Sequence, residues 1–392
     1  MTKEQSFFIQ ILADHLNGRK TRRVDDLDWG IIHQYALNHQ VNGIVYTQAK
    51  DSMPPEAQNT FLQETLATIY CASNRANDFD AVKKGLKELE IPFFVVKGPM
   101  IADLYPSPML RVMGDIDLVI QREKRDACHE LLLKNGYECV SKQDDREWQY
   151  VKNKMELELH DRLVYEETVN EAGQDTFFND CWRYVDEEKL DWDFHLLFLI
   201  FHLRKHFMNA GVGFRQFMDL AVVSQKTRIN WDWMKANLEK TGMYHFALKC
   251  YGFIERWFGI KTVLTENIEE DFYEGATQII FSNGVFGVDN ADNITSMSIN
   301  IIRKSRYPRL AIIKQHLIDI FPAWELLSNT AAYKYLKKGK LLLPIAWIHR
   351  WLRVFYIFVF AKGDIATKRR IASMKMYNRR MEWMRKWSLI DE

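Results

Sequence analysis

Asp115 and Asp117 stand two apart in the run Gly114-Asp115-Ile116-Asp117-Leu118-Val119-Ile120. Apolar residues at 116, 118 and 120 alternate with them, so strand geometry points both carboxylates to one face. Two adjacent carboxylates repel, and a bridging divalent cation turns such a pair favourable. Downstream, Met155-Glu156-Leu157-Glu158-Leu159-His160 alternates in the same way, with Glu156, Glu158 and His160 sharing a face. Upstream, Phe93-Phe94-Val95-Val96 runs into Lys97-Gly98. Gly98 permits close backbone approach, a helix starting there would offer amide donors to phosphates, and Lys97 adds a mobile positive charge. Arg111, four residues before the first acid, can reach a γ-phosphate as a bidentate donor or instead form a salt bridge to Asp103 or Asp115. A solvated strand edge would explain the two acids alone, but not the glycine turn, the third strand and the arginine around them. The set suits two-metal phosphoryl transfer, in which carboxylate oxygens are shared between ions about 3.5–4 Å apart.

A glycine turn after a strand, an Asp-x-Asp strand and a third strand carboxylate together resemble the DNA polymerase β-type nucleotidyltransferase superfamily. Lys97-Gly98, Tyr105-Pro106, Arg111 and Gly114-Asp115-Ile116-Asp117 are similar to a bacterial family of uncharacterised nucleotidyltransferases. So are His202-Leu203-x-x-His206, Gly213-Phe214-Arg215-x-x-x-Asp219-Leu220-Ala221, Phe321-Pro322 and Leu343-Pro344. Two departures stand out: Pro99 follows Gly98 where the superfamily usually has Gly or Ser, and the step from Gly98 to Asp115 is long.

The resemblance implies a Mg²⁺- or Mn²⁺-dependent enzyme that moves NMP from an NTP, ATP among the candidates, to an acceptor and releases pyrophosphate. Asp115, Asp117 and Glu158 would be its metal-binding catalytic acids. Lys97, Gly98 and Arg111 would hold the triphosphate. The Glu-Leu-His string favours Glu158 as third acid, while a register error of two would promote Glu156. The acceptor is open: a small molecule, a glycan precursor, a protein or RNA. The alternative is an inactive nucleotide- or partner-binding protein of the same fold. His202 and His206 have metal-ligand spacing, but Arg204 and Lys205 beside them argue for structure or nucleotide contact instead. Arg215 and Asp219 are spaced for an intrahelical pair.

These residues need a scaffold of strands at about 92–97, 115–120 and 154–160, with a helix at about 124–135 ended by Asn135-Gly136. Phe7, Phe8, Ile11, Leu12 and Leu16 fall at helical spacing, and a long helix is expected from Pro55 to Leu89. Helices return from Asp193 to about Phe258, and 280–300 is loop-rich. The expected class is α+β, a small mixed-sheet nucleotidyltransferase core embedded in helical N- and C-terminal regions. The expected divisions are 1–90 helical, 91–190 catalytic, 191–300 helical and 301–392 basic and mostly helical.

The 392 residues suffice for two or three domains with their own cores. The five cysteines form neither a metal pair nor a disulfide pattern, which fits a reducing, cytoplasmic setting. No signal peptide and no transmembrane span is expected. The best span candidate, 341–361, is broken by His349, Arg350 and Arg353. The net charge of +1 hides a split. Residues 301–392 hold 20 Lys/Arg against 6 Asp/Glu, and the first 300 hold 33 against 46. The basic region is therefore expected to meet something acidic: a membrane surface, nucleic acid or the acidic remainder of the chain. Its Trp347–Tyr356 stretch mixes aromatic and basic side chains, for which packing within the protein is the commoner role.

Overall fold

The computed structural model describes residues 1–142, 147–153, 155–165, 174–209, 211–284, 339–360 and 382–389, with isolated positions between 321 and 336. The chain forms two compact units. One comprises Met1–Phe207, Gly211–Val288 and Trp387–Leu389; the other comprises Met208–Ala210, Asp289–Lys386 and Ile390–Glu392.

The first unit opens with helices α1 (Lys3–Leu16), α2 (Trp29–Asn38), α3 (Asn42–Ala49) and α4 (Pro55–Glu88). Thr2 and Gln5 close a capping box on α1, and the Asp28 side chain caps α2. Pro55 starts α4, where its missing N–H costs nothing. The sheet follows: β1 (Phe93–Val96), a short helix α5 (Gly98–Ala102), β2 (Asp115–Ile120), α6 (Arg125–Lys134), β3 (Glu138–Ser141), β4 (Trp148–Lys152) and β5 (Met155–His160). Gly136, at φ +81°, ends α6 as the Asn-Gly pair predicts.

The strand order is β1-β2-β5-β4-β3, with β2 and β5 parallel and the other pairs antiparallel. Ile116, Leu118, Ile120, Leu157 and Leu159 point to one side and pack on Phe79, Val82 and Leu86 of α4 and on Cys128 and Leu132 of α6. This two-residue alternation is what frees the opposite face for the acids. The sequence missed β3 and β4. Along β3 the burial alternates only between exposed and half-buried, so its apolar pattern is weak.

After α7 (Gln174–Asn179) and a small hairpin of β6 (Val185–Asp186) and β7 (Lys189–Leu190) come α8 (Trp192–Asn209), α9 (Phe214–Lys226), α10 (Trp231–Lys240), α11 (Tyr244–Phe258) and α12 (Glu270–Asn283). Trp387 belongs to this unit's core, against Phe207, Phe246 and Phe253. The start of the loop-rich 280–300 stretch is thus the end of α12, and 285–300 lies outside the described residues.

In the second unit a helix spans Leu343–Phe360. Ala346 is buried with Leu327, Tyr333 and Leu336, and Trp324 and Trp347 pack against them. Much of the basic 301–392 region, including 301–320 and 361–381, lies outside the described residues. No helix among the described residues is long and apolar enough to cross a membrane.

Candidate active site

The parallel register of β2 and β5 sets Asp115 opposite Glu156 and Asp117 opposite Glu158. Asp117, Glu158 and His160 each aim one ligand atom into a common spot, all within 4.8 Å of one another. Glu158, rather than Glu156, joins this group. Asp115 is half-buried on the same face, two residues away and outside the trio.

The trio is charged. Lys97 Nζ lies 2.7 Å from Asp117 Oδ1, and His160 Nε2 lies 3.3 Å from both Asp117 Oδ1 and Glu158 Oε2. His160 Nε2 makes no regular hydrogen bond to either carboxylate, so these are close contacts between charged groups. Burial opposes the imidazolium, but the two carboxylates outweigh it and push the His160 pKa up to about 9. Burial also opposes ionisation of Asp117, yet Lys97 and His160 hold its carboxyl well below the usual range. At Asp115 burial, then Asp117, outweigh the nearby Lys97 charge and raise the pKa. Asp117 Oδ2 and His160 Nδ1 are buried with no hydrogen-bond partner. Buried polar atoms seldom stay unpaired. Two carboxylates and an imidazole fit a divalent cation, whose binding would have to displace the His160 proton.

Lys97 occupies the sharp turn between β1 and α5, at φ +57°, a conformation that L side chains rarely adopt. Helix α8 holds it there. The Lys97 N–H donates to His195 Nε2 at 2.9 Å, and its Nζ meets His202 Nε2 at 3.2 Å. Both imidazoles must be neutral to accept these contacts. Burial, then the Lys97 charge, lowers His195 to about 3 and His202 well below its ordinary value. Gly98 sits beneath β2, where an added Cβ would come 3.4 Å from the Asp115 carbonyl oxygen. Pro99 lies in the first turn of α5, a position that needs no N–H.

Arg111 is buried and faces Asp219 on α9. Its Nε and Nη2 each donate to one Asp219 oxygen at 2.8 Å, and Nη1 reaches the Gly98 carbonyl at 3.2 Å. Tyr105 Oη adds a 2.8 Å bond to Asp219. Asp219 therefore pairs across the fold instead of with Arg215 on its own helix. Arg215 Nη1 donates to the Val112 carbonyl, and Arg75 Nη1 of α4 donates to the next carbonyl, Met113, at 2.7 Å. These two arginines pin the segment that delivers Gly114 and Asp115.

Sequence reasoning missed His195, Arg75 and Lys205. His195, His202, Lys205 and His206 follow at steps of seven, three and one along α8, one stripe of the helix. That stripe was the available signal for His195 and Lys205. Lys205 keeps access to solvent, and no carboxylate among the described residues lies within ion-pair distance of it. Burial of its surroundings, then the Lys97 charge, lowers its pKa, while Glu147, Glu158 and Asp117 pull the other way.

The chain belongs to a family of uncharacterised nucleotidyltransferases, whose model matches residues 25–259, more than half of the chain. The Phe321-Pro322 and Leu343-Pro344 strings lie beyond the matched residues. No curated protein and no solved structure matches the chain.

Proposed function

We propose that the protein is a metal-dependent nucleotidyltransferase that transfers NMP from an NTP to an acceptor hydroxyl or phosphate and releases pyrophosphate. The observation that carries this reading is the convergence of Asp117, Glu158 and His160, with Asp117 Oδ2 left unpartnered, on one face of the sheet. Asp115 and Asp117 serve the nucleotide side of the site, and Glu158 completes it on the acceptor side. A bound Mg²⁺ or Mn²⁺ would supply charge neutralisation at the phosphates and a lowered pKa for the acceptor. The nitrogen donor His160 favours Mn²⁺ over Mg²⁺, which prefers oxygen ligands.

In the transfer, an acceptor oxygen bonds to the α-phosphorus and the bond from that phosphorus to the bridging oxygen breaks. The bonding pair leaves with pyrophosphate. The acceptor's proton passes toward Glu158, whose side chain is 25% exposed where Asp117's is only 3%. With Arg111 held on Asp219, Lys205 and the third N–H of Lys97 are the cations best placed for the triphosphate, and Gly98 lets it approach the backbone. Arg111 then acts on the triphosphate indirectly, by fixing the Gly98 carbonyl and the segment before Gly114.

Calorimetric titration with Mg²⁺- or Mn²⁺-NTP tests the site. Wild type should bind at least one of the four NTPs, and Asp117→Asn should weaken that binding at least about tenfold, the loss expected of a ligating carboxylate. Nucleotide affinity and metal dependence unchanged in both Asp115→Asn and Asp117→Asn would remove the reading.

A further inference from the structure

The helix Leu343–Phe360 and the turn before it carry an apolar face that the described residues of the second unit leave uncovered. Leu341 is 95% exposed, Ile345 56%, Ile348 54% and Leu352 64%. Their spacing of four, three and four places them on a single stripe. The opposite side, at Ala346 and Trp347, packs into the small core with Leu336 and Tyr333. Single exposed leucines are ordinary, but three in register on one helix with a fourth in the turn before it mark an interaction surface.

Charge chooses among occupants. The region 301–392 holds 20 Lys/Arg against 6 Asp/Glu, and Lys334, Lys337, Lys338, Lys340, Arg350 and Arg353 flank the stripe in sequence. A second copy of this basic region would be repelled. Nucleic acid would use the charge, and Trp351, 40% exposed, and two arginines lie beside the stripe, but the four side chains of the stripe itself are aliphatic and offer bases no π-face. An anionic bilayer matches both properties: acyl chains take the aliphatic stripe, and headgroups take the lysines and arginines.

We propose that Leu341, Ile345, Ile348 and Leu352 form a membrane-surface anchor that lies in the headgroup region of an anionic bilayer. The helix rests on the membrane without crossing it, consistent with its charges at 350 and 353. This assignment is independent of the nucleotidyltransferase reading, because the surface lies outside the residues that the family model matches.

The test is co-sedimentation of the full-length protein with vesicles of phosphatidylcholine alone and of phosphatidylcholine mixed with phosphatidylglycerol. The protein should sediment with the anionic vesicles and stay in solution with the neutral ones, and high salt should release it. The triple variant Ile345→Glu, Ile348→Glu, Leu352→Glu changes only exposed positions, so its thermal unfolding should match wild type. Its vesicle affinity should fall by about tenfold or more, as loss of three apolar anchors demands. Wild type that ignores anionic vesicles overturns the proposal. So does sedimentation that the triple variant leaves unchanged, and so does a gel shift of single-stranded RNA at protein concentrations where vesicles bind nothing.

Discussion

Asp115 and Asp117 are chemically alike and electrostatically opposite. Asp117 shares its charge with Lys97 and His160, whereas Asp115 is disfavoured as an anion by burial and by Asp117 itself. The two substitutions should therefore move stability in different directions in metal-free protein. Asp117→Asn strips a buried pair of its anion and should lower stability by about 3 kcal/mol, the cost of orphaning a buried charge. Asp115→Asn should leave the melting temperature unchanged or raised. Equal destabilisation by both would contradict this assignment. Glu158→Gln should keep NTP affinity within a few-fold and slow transfer by about 10²-fold, as loss of an acid–base group does. A variant with normal turnover would remove Glu158 from the chemistry. At this scale the acids were legible in the sequence, because alternation on β2 and β5 declares which side chains share a face. The partner of Arg111 was not, since Asp219 lies 108 residues away and only the fold joins them.

Among the elements, α8 and α9 turn the sheet into a site. Helix α8 holds Lys97 through His195 and His202, and α9 holds Arg111 through Asp219. The strands at 93–96, 115–120 and 155–160 and the helix ended by Asn135-Gly136 follow from period and turn chemistry alone. The coverage of the sheet by α8 does not, because a histidine on a helix carries no mark of the backbone N–H it accepts. Two predictions belong here. Arg111→Ala should destabilise the protein by about 3–5 kcal/mol, since it leaves the buried Asp219 carboxylate with the Tyr105 hydrogen bond but without its ion-pair partner. A variant of normal stability with weak nucleotide binding would instead return Arg111 to the phosphates. Lys205→Ala should fold normally and weaken NTP binding several-fold, about the loss expected for one charge-assisted contact, while leaving NMP binding alone. Equal NTP affinity in wild type and variant would exclude Lys205 from the triphosphate.

For the whole molecule, buried neutral histidines set the response to acid. Burial lowers His15 to about 4 and His39 to about 3, from an ordinary 6.5. The unfolded chain binds these protons near pH 6.5 and the folded chain does not until pH 4 or below. Their contribution is therefore complete above pH 6.5 and is lost as pH falls toward 4, at up to about 1.4 kcal/mol per pH unit for each group. Urea midpoints should drop steadily from pH 7 to pH 4.5, and a flat profile would show that these imidazoles are not buried as neutral species. The charge split between residues 1–300 and 301–392 was plain in the sequence, but the exposed stripe at 341–352 emerged only when one side of its helix was seen to be buried. The central claim, nucleotidyl transfer at the Asp117–Glu158–His160 site, is tested most directly by label transfer. Wild type is incubated with cell extract, Mg²⁺ or Mn²⁺, and each of the four NTPs labelled on the α-phosphate or, in parallel, on the γ-phosphate. The account predicts that one NTP passes its α-label to an acceptor, that a chelator abolishes this, and that Asp117→Asn does not support it. No transfer of α-label from any NTP, or transfer of a γ-label instead, would contradict it.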